Sequence, residues 1–347
     1  MGIKRITGVF LIAAALVAAA AGCAPGNVVN VYNWGEYIDE SLLEEFEKDT
    51  GIKVNYRTFE TNEDMYAKLK AGGSDYDVII PSDYMIGWLI EENMLEKLDT
   101  ANIPNVSLLD PAYRKPQYDP TGEYSVGYMW GTVGIIYNTT LVDGDPTSWG
   151  ALFDEKYSGN ILMIDNPRDA FGIALKYLGY SLNTTNEDEI RAAYELLVKQ
   201  KPMLLAYVTD TVFETMEGGN AAMAPYYAGD YMTMKEQNPD LAFCLPSEGS
   251  NVFSDGMCIP KGAANKKNAE RFIDFMASTE AALRNMDVTG YVSLNREAAE
   301  RRAASLSAED AAVMFPDDSV LATCEPFLNL PQETRELYSR LWSDLRT

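Results

Sequence analysis

The fold class of this chain is decided by residues 28–59, VVNVYNWGEYIDESLLEEFEKDTGIKVNYRTF. A β-rich run at 28–33 leads into an amphipathic helical pattern, and a second β-rich run follows at 52–59. Ser41 and Glu44 have the spacing of a capping box, in which two side chains satisfy the backbone N–H groups at a helix start. This β-α-β order predicts an α/β lobe with a mainly parallel sheet.

The same alternation continues along the rest of the chain. The pattern predicts helices at 63–71, 170–179, 187–201, 266–286 and 333–346, and strands at 77–81, 159–165 and 221–227. The length of 347 residues exceeds the about 100–200 residues usual for one domain. We therefore expect an α/β fold made of two lobes.

The composition excludes several classes of function. The chain has 28 basic and 52 acidic residues, a net charge of −24, which disfavours binding to nucleic acid and favours cations. It has no histidine, which excludes Ser/His/Asp and Cys/His catalysis and histidine-based metal sites. We expect neither catalysis, nor a metal, nor a cofactor.

Residues 1–22 have the pattern of a secretion signal, in which two basic residues precede an apolar run at 9–21. A membrane-spanning helix is the alternative, but this run is shorter than the about 20 residues that cross a bilayer. The sequence AAGC ending at Cys23 resembles a bacterial lipobox, with alanine where leucine is usual. The resemblance implies a lipid on Cys23, with 23–27 as a tether between the membrane and the folded body.

The other cysteines leave two interpretations open. In an oxidising compartment Cys244 and Cys258 could form a bridge across a hairpin, which would leave Cys324 unpaired. Three separate buried thiols are the alternative.

Aromatic and acidic side chains follow four of the predicted strands. In open α/β sheets ligands bind beyond the carboxyl ends of the strands, because loops and helix N-termini converge there. Carboxylates interleaved with rings suit an elongated organic cation, since ammonium groups removed from water need counter-charges and methylene groups pack on rings. A phosphate site would need glycines and basic residues instead. The residues at these strand ends are Trp34, Glu36, Tyr37, Ser82, Asp83, Tyr84, Asn166, Asp169, Tyr226, Tyr227 and Asp230.

Several motifs together resemble the spermidine/putrescine-binding proteins of bacterial polyamine importers, and the likeness covers nearly the whole mature chain. The motifs are YNWGEY (32–37), LLEEFEKDTGIKVNY (42–56), ETNEDMYAKLKAG (60–72), YDVIIPSDYM (76–85), GYMWGTVGIIYN (127–138), SWGALFDEKYSGNILMIDNPRDAF (148–171), LGYSLNTTNEDEI (178–190), FSDGMCIP (253–260) and TGYVSLN (289–295).

This resemblance implies a type II periplasmic-binding-protein fold, with the ligand buried in a cleft between two lobes joined by crossing strands. Lobe one would comprise 28–132 and 260–320, lobe two 133–259, and a C-terminal segment at 321–347 would close near the hinge. The implied function is capture of a polyamine, such as spermidine or putrescine, for the membrane permease of an ABC importer. The protein would be an extracytoplasmic, lipid-anchored monomer.

The family's ligand contacts carry over to positions in both lobes. Asp169 and Asp255 match acidic ligands, Tyr291 matches a ring that packs on methylenes, and Thr209 falls where the family has a small hydroxyl residue. The full set that the resemblance implies is Trp34, Glu36, Tyr37, Ser82, Tyr84, Asn166, Asp169, Thr209, Tyr227, Phe253, Asp255, Tyr291 and Phe327.

Four of these positions depart from the family pattern. Asn166 replaces an aspartate, Phe253 a tryptophan and Phe327 a polar residue, while Tyr227, or Tyr226 if the alignment slips by one, stands for another tryptophan. Fewer acids favour a shorter amine such as putrescine, although Glu36 or Asp230 could supply the lost charge.

Three alternatives remain at this level. The same fold could bind another small solute, such as a sugar, an amino-acid derivative or a different amine, because fold alone does not choose a ligand. Asp255 and Asp169 could be the acid pair of an extracellular glycosidase. An acidic face could also bind a host or matrix partner as a second role.

Overall fold

The computed structural model describes residues 27–72 and 75–347. Within these residues ten strands form one sheet. Their bounds are β1 Val28–Trp34, β2 Lys53–Phe59, β3 Val78–Ile79, β4 Ser125–Asn138, β5 Ile161–Ile164, β6 Leu204–Val208, β7 Met223–Tyr227, β8 Leu241–Cys244, β9 Val252–Cys258 and β10 Val292–Ser293.

The helices alternate with these strands and close the C-terminal end of the chain. Their bounds are α1 Ser41–Thr50, α2 Asn62–Lys70, α3 Asp83–Glu91, α4 Pro167–Tyr177, α5 Glu187–Gln200, α6 Thr211–Glu217, α7 Ala228–Gln237, α8 Lys266–Met276, α9 Thr279–Thr289, α10 Arg296–Ala303, α11 Ala308–Met314, α12 Asp318–Leu321 and α13 Gln332–Arg346. Short 3-10 helices lie at Thr100–Asn102, Pro104–Leu108, Pro111–Tyr113, Trp149–Phe153, Glu155–Tyr157 and Lys201–Met203.

The strand order is β2-β1-β3-β9-β4-β7-β5-β6, with β8 and β10 also paired to β4. At one end β1 runs parallel to β2 and β3, and at the other β5 runs parallel to β6 and β7. The central strands β9 and β4 are antiparallel to each other and to their outer neighbours β3 and β7. The predicted parallel sheets are therefore present in both halves, and an antiparallel pair joins them.

Strand β4 connects the two halves. Its residues 125–132 pair with β9, and its residues 133–138 pair with β7 and β8. Each half has its own hydrophobic core, one around Phe46 and Phe272 and the other around Ile161 and Phe171. The space between these cores is the cleft described below, while the exact lobe boundaries at 132/133, 259/260 and 320/321 stay a prediction.

The capping box expected at Ser41 and Glu44 is wrong. Ser41 is already the first helical residue of α1, and its backbone N–H donates to Asp39 Oδ1 at 2.9 Å. The same carboxylate accepts from Arg284 Nε at 3.0 Å through its other oxygen. A carboxylate two residues earlier therefore binds the helix start, and it is held there by an arginine that lies far away in sequence.

The single helix predicted at 266–286 is two helices, α8 and α9. Ser278 between them is extended, with a ψ of 152°, and its side chain caps the N-terminus of α9 by accepting from Ala281 N. Asn295 Nδ2 donates to the carbonyl of Ala277 at 3.0 Å. The apolar period runs through this break, but the serine cap and the tertiary hydrogen bond end the first helix.

The described cysteines are separate thiols, and the bridge between Cys244 and Cys258 is absent. Cys244 pairs with Ile135 on β4, whereas Cys258 pairs with Ser125 on the same strand. Ten residues of extended strand separate these two points, which places the cysteines about 30 Å apart along β4.

The predicted signal segment at 1–22 and Cys23 lie outside the described residues. Asn27, the last residue of the predicted tether, is already bound to the body, since its Nδ2 donates to the carbonyl of Gly51 at 2.7 Å. Among the described residues, the structure contains no helix long and apolar enough to cross a membrane.

Candidate ligand-binding cleft

The carboxyl ends of β1, β5 and β7 open onto one cleft between the two halves of the sheet. Its volume is about 860 Å³, counting the part that is continuous with solvent. The cleft walls include all thirteen residues singled out from the sequence, namely Trp34, Glu36, Tyr37, Ser82, Tyr84, Asn166, Asp169, Thr209, Tyr227, Phe253, Asp255, Tyr291 and Phe327. The structure thus brings together residues that are up to 293 positions apart in sequence.

Asp255 lies at the centre of the cleft on β9, beside Ser82. Its side chain is 3% exposed, and its Oδ2 accepts from the hydroxyl of Tyr37 at 2.7 Å. Its Oδ1 is buried and has no hydrogen-bond partner among the described residues. Burial raises the pKa of Asp255 to about 7, although the hydroxyls of Tyr37 and Ser82 partly oppose this. A cation bound at Oδ1 would supply the missing partner and favour the ionised form.

Asp169 occupies the first turn of α4, on the other wall. Its Oδ2 accepts from the hydroxyl of Tyr227 at 3.0 Å, and burial raises its pKa to about 7. Asn166 is the N-cap of the same helix, because its Oδ1 accepts from the backbone N–H groups of Arg168 at 2.9 Å and Asp169 at 3.3 Å. The amide therefore keeps the capping role that an aspartate would have, and the carboxylate of Asp169 provides the charge on this wall.

A third buried carboxyl, Asp230, lies at the start of α7 and is 8% exposed. Burial raises its pKa to about 8, and the nearby carboxylates of Asp210 and Glu36 add to this, while the Tyr291 hydroxyl opposes it. Asp230 thus belongs to an acidic group that extends toward the cleft rim. It adds a carboxylate to a site in which residue 166 is an uncharged amide.

The rim of the cleft brings carboxylates from the two sides into proximity. Thr209 Oγ1 donates to Glu60 Oε2 at 3.3 Å. A Cβ atom at Gly35 would lie 2.5 Å from Asp210 Oδ2, so only glycine lets this carboxylate approach the backbone. Glu36 next to it has a φ of 47°, a left-handed conformation that is uncommon outside glycine and places its carboxylate at the rim.

Rings line the cleft between the carboxylates. Trp34 packs on Phe59 with centroids 4.4 Å apart, and Tyr37 meets Tyr291 edge to face at 4.7 Å. A Cβ atom at Gly229 would lie 2.4 Å from the Tyr291 ring, so this ring holds its position only because residue 229 is glycine. The rings form apolar walls that match the methylene groups of an aliphatic ligand.

The substituted positions fit the same pattern. Phe253 contacts Tyr227 and Tyr291 with centroids 5.4 and 6.1 Å away, so a smaller ring fills the wall here without a polar group. Phe327 meets Tyr84 edge to face at 6.0 Å and closes one end of the cleft. Tyr226 and Tyr227 both line the cleft, so the ambiguity in alignment does not move the aromatic wall.

The charge of the cleft is one-sided. Its described lining contains seven carboxylates and no lysine or arginine. One of the seven, Asp165, is paired with Arg346 at 2.9 Å, and the other six form no ion pair with any described residue. The carboxylates are Glu36, Glu60, Asp165, Asp169, Asp210, Asp230 and Asp255. Such a site binds cations and repels anions.

Sequence reasoning missed several residues of the wall. Asp210 follows β6, which the pattern did not reveal as a strand; with that strand recognised, the strand-end rule would have found Asp210. Asp230, by contrast, was singled out at a predicted strand end and as a substitute for the lost charge, although the family motifs do not include it. The other residues missed are Gly35, Phe59, Glu60, Asn62, Ile164, Asp165, Phe213 and Asn251. For those on loops, no signal in the sequence indicates that they face the cleft.

Comparisons with known proteins agree with this geometry. The model of the bacterial extracellular solute-binding protein family matches residues 41–315. The chain is 35% identical to the spermidine/putrescine-binding periplasmic protein of Escherichia coli (strain K12) over 90% of each chain.

Solved structures give the same result. One, from Listeria monocytogenes and described provisionally as a spermidine/putrescine ABC transporter, has a TM-score of 0.87 and 39% identity, covering 93% of this chain and 99% of that one. The PotD lipoprotein of Treponema pallidum has a TM-score of 0.80 and 28% identity, covering 92% of this chain and 99% of that one.

These findings confirm the resemblance stated from the motifs and the predicted type II periplasmic-binding-protein architecture. The match of the family model spans most of the chain, including the cleft residues from Phe59 to Tyr291. The chain therefore belongs to the bacterial extracellular solute-binding protein family.

Proposed function

We propose that this protein is the polyamine-binding component of a bacterial ABC importer. The observation that carries the proposal is the cleft lining, whose described residues include seven carboxylates interspersed with aromatic rings and no lysine or arginine. An aliphatic polyamine has the complementary pattern of ammonium groups separated by methylene chains. The names of the relatives, spermidine/putrescine-binding proteins among them, support the same ligand class.

The binding chemistry follows from the buried carboxyls. One ammonium group would bind Asp255 Oδ1, which has no other partner among the described residues, and a second would bind toward Asp230 and the rim, where Glu36 and Asp210 converge. The methylene chain would lie against Trp34 and the other rings. Because burial raises the pKa of the central carboxyls, the bound dication would displace protons that the empty cleft holds near neutral pH.

The contacts proposed for the ligand are the thirteen that the family motifs imply, with three additions. Asp230, Asp210 and Glu60 join the set because they line the same cleft and carry no ion-pair partner among the described residues. The role proposed is binding and release without chemical turnover and without a cofactor. The two acids considered for glycoside hydrolysis, Asp169 and Asp255, are instead each hydrogen-bonded to a tyrosine hydroxyl and would act as counter-charges.

The proposal extends to the place of action. The protein would act as a monomer outside the cytoplasm, anchored through a lipid on Cys23, and would deliver its ligand to the membrane permease. The Treponema pallidum relative is a lipoprotein, which supports an anchor. Mass spectrometry of the mature N-terminus should find a diacylglyceryl cysteine at residue 23, and Cys23→Ser should release the protein from the membrane fraction. An unmodified N-terminus would rule the anchor out.

Isothermal titration of the soluble chain from Asn27 onward, freed of carry-over ligand, tests the function. Putrescine, cadaverine, spermidine and spermine are titrated alongside maltose and an amino-acid mixture. We expect tight one-to-one binding of at least one amine and no heat from the sugar or amino acids. The absence of binding heat with every amine would refute the proposal, and other solutes that bind to proteins of this fold would then be tested.

A further inference from the structure

Arg168, directly behind the cleft wall, is a buried arginine without a carboxylate partner. It is 6% exposed and forms no ion pair within 4.0 Å with any described residue. Its guanidinium donates to the carbonyl of Leu328 at 3.2 Å and to Asn183 Oδ1 at 3.3 Å. These neutral acceptors hold the guanidinium in place. Its charge reaches the carboxyls of Glu63, Asp83 and Asp169 and opposes the rise in their pKa values that burial causes, but none of them forms an ion pair with it.

The guanidinium lies against two residues of the cleft wall. Its Cζ is 4.4 Å from the centroid of the Phe327 ring and 5.2 Å from that of Tyr84. Phe327 is 5% exposed, and its ring would lie 3.3 Å from a Cβ atom at Gly172, so it has little room to retreat. The ring is therefore fixed between the cleft and a resident cation.

The positive charge acts on one end of the cleft. Arg168 opposes the rise in the pKa of Asp169 and of Tyr84, which lie at this end. Among the described residues, no basic side chain opposes the rise in the pKa of Asp255 or of Asp230 in this way. Arg168 thus places a positive charge beside the Phe327 end of the cleft.

We infer that Phe327, backed by the guanidinium of Arg168, closes one end of the cleft to a third ammonium group, so that the site selects diamines over triamines and tetramines. This inference rests on the proposed function. An ammonium removed from water needs an acceptor, and a phenyl ring offers only its face. The guanidinium on the other side of the ring adds a positive charge that repels a second cation.

The test compares amines of different length on the soluble chain from Asn27 onward. Titration calorimetry of the wild-type protein should give a Kd for putrescine or cadaverine at least tenfold lower than for spermidine or spermine. Phe327→Gln supplies an acceptor, and Arg168→Gln removes the charge. Each should shift the ratio of spermidine to putrescine affinity at least tenfold toward spermidine.

Arg335→Gln is the matched control. Arg335 also stacks on a ring, that of Trp88 at 4.1 Å, but it is not part of the cleft lining, so the ratio should stay unchanged. Thermal unfolding checks that each variant is folded. If Arg168→Gln is unfolded, the affinity ratio of Phe327→Gln alone tests the inference. Wild-type preference for spermidine, or an unchanged ratio in folded Phe327→Gln, would overturn the inference. Binding of no amine at all would instead overturn the proposed function.

Discussion

The substitution Asp255→Asn gives the sharpest test of the site. It keeps the size of the side chain and allows a hydrogen bond with Tyr37, whose hydroxyl can accept from the amide nitrogen while the amide oxygen takes the place of Oδ1, so the cleft should keep its shape. It removes the central negative charge, whose Oδ1 has no other partner among the described residues. The effect on affinity therefore reports the charge and little else.

The expected magnitude follows from the geometry. An ammonium nitrogen about 3 Å from the carboxylate gains about 5 kcal/mol at an effective dielectric constant of about 20. Because burial raises the pKa of Asp255 to about 7, ionising it at neutral pH costs less than about 1 kcal/mol. The asparagine carbonyl retains a neutral hydrogen bond worth about 1 kcal/mol. The net loss should be about 2–4 kcal/mol, a rise in Kd of about 30- to 1,000-fold.

Titration calorimetry of both proteins with putrescine at about pH 7.5, just above the raised pKa, measures this change. Glu195→Gln is the control, because Glu195 is an exposed glutamate on α5, outside the cleft lining, and its loss should leave Kd unchanged. A change of less than threefold in folded Asp255→Asn would refute the assignment of Asp255 as the central counter-charge. An equal loss in Glu195→Gln would show that only net charge matters.

Three further predictions follow from the same contacts. Amine affinity should fall as the pH is lowered from about 8 to about 6, because the three buried carboxyls have pKa values of about 7, 7 and 8 and bind the cation only when ionised. The fall should be up to about tenfold per pH unit for each proton that the ligand displaces. An affinity that stays constant in titrations across this range would contradict the prediction. Gly229→Ala should weaken amine binding at least tenfold by displacing the Tyr291 ring. Gly87→Ala should leave binding unchanged, because a Cβ there meets only ordinary contacts at 3.5 Å. Equal amine affinities of the two variants would refute the packing argument. Asn166→Ala should lower the free energy of unfolding by about 1 kcal/mol through loss of the N-cap, and Asn166→Asp should restore it in thermal melts; an unaffected alanine variant would count against the cap.

The cleft contains closely spaced carboxylates and buries several of them, and both properties disfavour the ionised carboxylates when no ligand is bound. Its carboxylates come from both walls, and at the rim the carboxylate of Asp210 is close enough to Glu36 and Glu60 for their charges to raise its pKa, in addition to burial. Their mutual repulsion destabilises the empty cleft, and burial opposes ionisation. A bound dication would relieve both, which gives the cleft a preference for cationic ligands.

Much of the architecture was readable from the sequence. The order of strands and helices predicted two α/β lobes because hydrophobic period and turn residues are local signals. The strand-end rule and the motifs brought forward all thirteen cleft residues, since parallel strands end at one edge of a sheet. Their role as ligand contacts stays a proposal until an amine is titrated.

Other features depend on contacts that local patterns do not carry. The helix predicted at 266–286 is split because Asn295, distant in sequence, binds the carbonyl of Ala277. The cap of α1 is Asp39 because Arg284 holds it. In both cases a hydrogen bond from a residue distant in sequence determined which of the local alternatives forms.

Composition and periodicity were enough to establish the fold class, the acidic and aromatic character of the site, and the exclusion of histidine chemistry. Packing was needed to establish that Asp210 and Glu60 join the cleft, that Cys244 and Cys258 lie far apart, and that Arg168 lies behind Phe327. These are distances between segments that meet only in the folded chain. Burial, which sets the pKa of each carboxyl, is likewise a property of the packed molecule and not of its sequence neighbours.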